Sequence, residues 1–355
     1  MGPGRGFGGL RVSSAFAMAF VVVLMMLLTS IPSSSDGHAP HFPSSNNDPE
    51  NPYEISDHAK SWVLYSSLAE NGVGYYRVGL DTVDRLLLQI LVPVSEGKRG
   101  FVPNIAIMIP GGTPGEPLPS FVNVPEGYGH EVVSGSLPSA IDYEGITATA
   151  FYTVVDFDEI VGEFADEKGA FIIAVYHPAG LHGDYALVMG YKEMFTLTEI
   201  VMVPLSLLQI YLWAGNGILA VAIPFALVAG FGTIPLLRDR SKSLARKFIR
   251  IAGFLFLATA AVVTVQMTIA LSQSGWGSEA LATIGLIFLS VVLGALTIRF
   301  SVRDFNDALK TRALLMGLAL VAVISWNGYL IGPLLLIAAA TMLRFPRDAS
   351  MALEE

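Results

Sequence analysis

Two hydrophobic rhythms divide the chain. Across residues 53–195, apolar positions come in short runs rich in Val, Ile, Tyr and Phe, separated by Gly, Pro, Asn and Asp. Such runs between turn formers predict strands, here 61–68, 74–79, 85–94, 104–109, 147–156, 171–176 and 185–191. No stretch in this part repeats every 3.6 residues, so the expected fold is all-β, a sandwich or jelly roll. The Asn71-Gly72 pair predicts a tight hairpin, because both residues tolerate positive φ. Residues 171–191 read as a closing hairpin with its turn between His177 and Asp184.

After Phe195 the apolar runs lengthen. Residues 198–213 carry Glu199 near the start, Pro204 inside and Trp213 at the end. That pattern predicts a helix lying in a membrane interface. Runs 218–237, 248–271 and 280–298 each approach the ~20 residues of a crossing. Run 313–343 exceeds one untilted crossing, so it is either one long tilted helix or, as Asn327-Gly328 favours, a hairpin broken there. The chain is therefore expected to join an exported all-β domain to a polytopic α-helical transmembrane bundle of four or five spans. Its expected parts are a signal peptide or N-terminal anchor (1–31), a disordered Ser/Pro/Asn-rich linker (32–52), the extracytoplasmic β-domain (53–195), the interfacial helix (196–214), the bundle (215–345) and a tail (346–355). Trp213, Trp276 and Trp326, each close to a Gly, hint at a repeated helical unit, although Trp and Gly mark interfaces in any bundle.

Composition sharpens this division. A chain 53% hydrophobic and 14% charged is too apolar for an ordinary soluble protein. Residues 32–199 hold 23 acids against 7 bases, whereas 200–355 hold 7 acids against 12 bases. Basic loops stay in the cytoplasm, so 238–247 and 299–312 are expected inside and the acidic domain outside. That negative field argues against nucleic acid as a partner. Cysteine is absent, which removes disulfides and thiolate chemistry. The chain also lacks an Asn-x-Ser/Thr sequon, and export without disulfides or glycans suits a bacterial or archaeal cell.

Three stretches carry a resemblance. They are Gly100-Phe101-Val102-Pro103-Asn104-Ile105-Ala106-Ile107 leading to Pro110-Gly111, then Leu118-Pro119 with Val124-Pro125-Glu126-Gly127-Tyr128-Gly129, and Ala174-Val175-Tyr176-His177-Pro178-Ala179-Gly180 with Gly183-Asp184-Tyr185-Ala186-Leu187-Val188-Met189-Gly190 and Glu193-Met194-Phe195. Across residues 76–213 the chain resembles a widespread, functionally uncharacterised family of exported, membrane-anchored β-sandwich proteins. More remotely it is similar to the pre-peptidase C-terminal type of domain. The resemblance implies a fold and an exported location, and no activity or cofactor.

Candidate chemistry is sparse. All six histidines precede residue 183, so the helical half lacks the His ligands of a membrane b-type haem. His177, His182 and Asp184 could ligate Cu or Zn, although loop histidines are ordinarily just solvated. His38 and His41 could take copper or nickel, and Asp81, Asp84 or the patch Asp156, Asp158, Glu159, Glu163, Asp166 and Glu167 could take Ca2+. A solvated acidic surface is the plainer explanation. Inside the bundle, Gln266, Thr264 and Ser290 are polar, which ordinarily means helix–helix hydrogen bonding and alternatively a solute path. The spans lack a deep ionisable group, which argues against an ion-coupled pump. Tyr75, Tyr76, Tyr128 and Tyr143 could stack on sugars, or belong to core and rim.

The expected function is a non-enzymatic membrane protein, without cofactor, whose β-domain binds a cell-envelope protein or glycan while the bundle sits in the bilayer and can self-assemble. The alternatives are a channel for a small neutral or lipidic solute, capped by the β-domain, and a metal-binding ectodomain.

Overall fold

The computed structural model describes residues 38–79, 85–160, 170–192, 194–238, 243–303 and 308–343. The signal or anchor segment, Asp81, Asp84, Glu163, Asp166, Glu167 and the C-terminal tail lie outside the described residues.

Eleven strands form two sheets among the described residues. They are β1 (Ala39–His41), β2 (Tyr53–Ile55), β3 (Trp62–Leu68), β4 (Val73–Gly79), β5 (Arg85–Pro93), β6 (Asn104–Pro110), β7 (Tyr128–Val133), β8 (Asp142–Glu144), β9 (Thr149–Ile160), β10 (Ala170–Tyr176) and β11 (Gly183–Met189). A single-turn helix, α1 (Val94–Lys98), follows β5. The six-stranded sheet runs β1-β3-β11-β5-β9-β8 and the five-stranded sheet β2-β4-β10-β6-β7. β1 and β2 join their sheets in parallel, and the remaining pairs are antiparallel.

Two expected hairpins are crossings between sheets. β3 pairs with β11 and β4 with β10, so the Asn71-Gly72 turn passes from one sheet to the other. Asn71 does take a left-handed φ of 53°, and the Gly72 N–H closes a tight turn on the Ala69 carbonyl at 2.9 Å. The local turn chemistry was right, while the partner of each strand was set by distant contacts. β10 and β11, expected to close as one hairpin, likewise belong to different sheets.

Alternation along the strands explains why the two sheets lie together. Leu64, Leu88, Ile90, Leu187 and Met189 from the six-stranded sheet share one core cluster with Tyr76, Ile105, Ile107, Phe171 and Ile173 from the five-stranded sheet. The intervening residues of the five-stranded sheet, Tyr75, Met108, Ile172 and Tyr176, pack instead with Leu118, Phe121, Val122 and Val124 of the loop after β6. Intervening residues of the six-stranded sheet, Val63, Ala186, Val188 and Leu91, pack with Trp213. Both faces of both sheets are thus covered, which is why the strands read as nearly continuous apolar runs.

The expected linker is ordered from His38 onward. β1 aligns with β3, and Ala39 and Asn46 are buried. The Asn46 amide donates to the Tyr185 hydroxyl at 3.3 Å, and its carbonyl accepts the Tyr75 N–H at 2.6 Å. Composition predicted disorder because the segment is short of apolar residues. It is instead ordered by polar bonds to strands far along the chain.

The helices are α2 (Leu197–Trp213), α3 (Leu219–Arg238), α4 (Leu244–Ser274), α5 (Ala280–Ser301), α6 (Ala308–Ile324) and α7 (Ile331–Met342). Among the described residues three are long and apolar enough to cross a membrane, over Leu219–Leu236, Leu244–Ser274 and Ala280–Ser301. The run 313–343 is broken as expected. Gly328 (φ 73°), Tyr329 (φ 48°) and Leu330 (φ 64°) turn the chain between α6 and α7, and Thr259 accepts the Gly328 N–H at 3.0 Å. The three tryptophans are not equivalent, since Trp276 is exposed and Trp213 buried.

α4 organises the helical half. Its 31 residues span about 46 Å at ~1.5 Å per residue, well beyond the ~30 Å of a bilayer core. Ala270, near its C-terminal end, belongs to the main core of the β region. Arg246, Lys247 and Arg250 mark the opposite end.

Candidate functional site

The expected metal set is not assembled. His177 is buried, and its Nδ1 accepts the N–H groups of Ala179 (3.1 Å) and Leu181 (3.4 Å). Its Nε2 is therefore the protonated nitrogen and donates to the Gly100 carbonyl at 3.2 Å, while the ring stacks on Phe101. Burial lowers the His177 pKa, against a smaller upward pull from Gly100, which favours the neutral ring. Both ring nitrogens thus hold the 177–181 turn together. His182 is exposed beside Arg99, which also pairs with Glu96, and burial raises the Asp184 pKa. Among the described residues no group of three or more His, Asp or Glu side chains is placed to hold a metal ion. Of the acidic patch, Asp158 pairs with Arg85 and Asp156 accepts from Gln89. His38 bonds to Ser61 and His41 to the Tyr53 hydroxyl.

The three polar residues expected inside the bundle bond within it. Gln266 is fully buried, its Oε1 accepting the Asn216 amide at 2.6 Å and its Nε2 donating to the Ala220 carbonyl at 3.3 Å. It closes the α2–α3 corner, where Pro224 cannot offer an N–H to the Ala220 carbonyl. Thr264 and Ser290 donate to the carbonyls of Ala260 and Leu286 on their own helices.

The seam between the β region and the bundle is built at three points. First, Thr196 caps α2 in a reciprocal capping box with Glu199, whose second oxygen accepts a 2.6 Å bond from the Lys60 ammonium. Second, Trp213 at the other end of α2 sits edge-on to Tyr65, with ring centres 5.0 Å apart, against the outer face of the six-stranded sheet. Third, Thr283 of α5 donates to the Gly145 carbonyl and accepts from the Tyr143 hydroxyl at 2.7 Å. α2 is thus a strut lying between sheet and bundle. On its bundle side Val203, Leu207, Ile210 and Tyr211 meet Val221, Val262 and Trp326.

Protonation of Glu199 should loosen the first point. Burial raises its pKa, but the Lys60 and Thr196 bonds outweigh this and leave it below the ordinary value. A depressed acid contributes stability that is present above the unfolded pKa and lost as pH falls through the folded one. Melts of the whole protein should lose about 0.5–1 kcal/mol as pH drops below ~4.3, the modest worth of a partly exposed ion pair. Glu199→Gln should already have lost it at pH 7 and flatten that part of the pH profile; an unchanged profile would remove the ion pair from the account.

Sequence reading missed a cleft of about 150 Å³ at the β3–β4 crossing. Asn47, Asn71 and Asn123 line it from three separate segments, with Tyr75 and Phe121, and no lining residue is charged. No protein-family model matches this chain, and no curated protein matches it. The cleft therefore rests on its own geometry. The Asn123 N–H donates to the Tyr75 hydroxyl at 2.9 Å, and the Asn71 N–H to the Gly180 carbonyl at 2.9 Å. Asn47 follows Asn46, which is bonded to β3, β4 and β11. Asn71-Gly72 was legible as a turn, but nothing local in the sequence marks residues 47, 71 and 123 as neighbours. Of the tyrosines weighed for sugar stacking, Tyr76 is wholly buried, Tyr128 bonds to the Ala170 carbonyl and Tyr143 serves the seam.

Proposed function

We propose that this chain is a multi-pass membrane protein that holds a two-sheet β-sandwich outside the cytoplasm as a binding module, without catalytic chemistry of its own. The observation that carries the reading is the three-point seam, which fixes the β region against one end of the bundle. The basic residues Arg246, Lys247 and Arg250 mark the opposite end of α4, as the positive-inside rule requires for a β region outside. The apolar residues that α2 leaves exposed, Leu197, Met202, Leu205 and Leu212, suit a lipid interface beside the seam. The resemblance to exported, membrane-anchored β-sandwich proteins agrees with this placement. Gln266, Thr264 and Ser290 bond within the bundle, which favours an anchor over a solute path.

The chain has no cysteine, so introduced ones are unique labels. Glu126 and Arg303 are exposed in the β region and beside α5. In intact cells a membrane-impermeant maleimide should label Glu126→Cys at once and Arg303→Cys only after permeabilisation. The reverse pattern, or labelling of neither before lysis, would overturn the orientation.

A further inference from the structure

We infer that the asparagine cleft binds one uncharged sugar ring. This deepens the binding-module reading and rests on it.

The chemistry of the lining selects the ligand class. Each asparagine amide offers two N–H donors and one carbonyl acceptor and carries no charge. A sugar hydroxyl is both donor and acceptor, so an amide can meet adjacent hydroxyls with bonds in both directions. Three asparagines from separate segments, Asn47, Asn71 and Asn123, line the cleft, and the Asn71 side-chain carbonyl oxygen lies against Gly180 at its edge. Charged ligands would be desolvated there without a counter-charge, since the lining holds no Asp, Glu, Lys, Arg or His. Phe121, half-buried at the wall, supplies the apolar surface that the C–H face of a pyranose requires.

Size and placement narrow the class further. At about 150 Å³ the cleft is smaller than the ~300–1,000 Å³ pockets that enclose drug-sized ligands, so it takes one ring and leaves the rest of a glycan in solvent. It opens beside the face of the five-stranded sheet that packs on Phe121 and Val122. α2 and the bundle lie against the other sheet. A ligand is therefore approached from the side away from the helices.

The walls are held before any ligand arrives. Asn123 is tied to the Tyr75 hydroxyl, Asn71 to the Gly180 carbonyl, and the backbone before Asn47 to Tyr75. These bonds fix the backbone that carries the asparagines, so the cleft wall loses little freedom on binding. With few contacts and one ring, the expected dissociation constant is on the order of millimolar.

The test uses the full-length protein in nanodiscs and ligand-observed saturation-transfer NMR. The probes are methyl α-glucoside, methyl α-mannoside, methyl β-galactoside and N-acetylglucosamine, with glucuronate and a neutral tripeptide as comparisons. At least one neutral sugar should bind, and glucuronate should bind more weakly. Asn123→Ala keeps the backbone N–H, and Asn71→Gly keeps the left-handed φ. Each should weaken binding about tenfold, one lost hydrogen bond's worth, with the thermal melt unchanged. Ala69→Trp, filling the cleft from an exposed lining position, should abolish it. Neutral sugars that fail to bind, binding that survives all three variants, or a preference for glucuronate or the tripeptide would each overturn the sugar assignment. The cysteine-labelling pattern is read independently, so loss of the sugar assignment leaves the membrane orientation standing or falling by itself.

Discussion

Trp213→Ala should cost the full-length protein about 3–5 kcal/mol, the usual loss for truncating a buried tryptophan. Trp213 is 8% exposed and fills the space between α2 and the outer face of the six-stranded sheet, against Val63, Ala186 and Val188. Its removal leaves a cavity that the sheet cannot collapse to fill, because the sheet's other face is committed to the main core. Trp213→Phe is the informative partner. The indole Nε1 is buried without a hydrogen-bond partner, so a phenyl ring keeps most of the packing and discards an unsatisfied donor. It should fall within about 1 kcal/mol of wild type. Hydrogen exchange reads the consequence for mounting. In Trp213→Ala, amides of α2 should exchange faster while those of β10, in the other sheet, keep their protection. Equal protection in both variants would mean that α2 is not the strut.

The second large effect belongs to the α4–α5 crossing. A Cβ on Gly253 would lie 3.0 Å from the Gly294 carbonyl oxygen, and one on Gly294 would lie 2.9 Å from the Gly253 oxygen. The Ile298 and Leu257 side chains lie closer still, at 2.6 and 2.7 Å, but the backbone oxygens behind them cannot move aside. Gly294→Leu must separate the helices and should cost about 3 kcal/mol or more, the upper end of over-packing penalties. Gly317 in α6 is the control, because a Cβ there meets nothing within 4 Å. Gly317→Ala should be neutral or stabilising by roughly 0.5–1 kcal/mol, since glycine is entropically costly inside a helix. Thermal melts in one detergent compare the pair directly. Similar melting temperatures for Gly294→Leu and Gly317→Ala would refute the close crossing.

These effects show how much was legible beforehand. Strands at Trp62–Leu68, Asn104–Pro110 and Ala170–Tyr176 match their apolar runs within a residue or two. The break before α7 was written locally in Asn327-Gly328, while α2 starts at Leu197 under a Thr196–Glu199 capping box, one residue before the apolar run 198–213. β1, β2, β7 and β8 were missed. β2 and β8 are three residues each, too short for a period to register, and β7 carries Gly129, His130 and Glu131 among its few apolar positions.

The candidate site was less legible than the fold. His177 looked like a ligand because a loop histidine near a carboxylate has the right atoms. Its Nδ1 is instead taken by N–H groups two and four residues on, a use that sequence spacing does not distinguish from metal binding. The asparagine cleft was invisible for the opposite reason, since residues 47, 71 and 123 gain meaning only once a distant segment stands beside each of them.

The sequence by itself determined which stretches alternate, which are apolar enough to cross a membrane, and where the chain turns. Those properties depend on neighbours a few residues away. Tertiary structure alone decided that β3 and β4, like β10 and β11, part into different sheets, and that residues from His38 onward join the β region. It also decided that α2 becomes a strut. Periodicity reports that a residue is buried and says nothing of what it is buried against. That choice is made by contacts such as Asn46 with Tyr185 and Lys60 with Glu199, each spanning 139 residues.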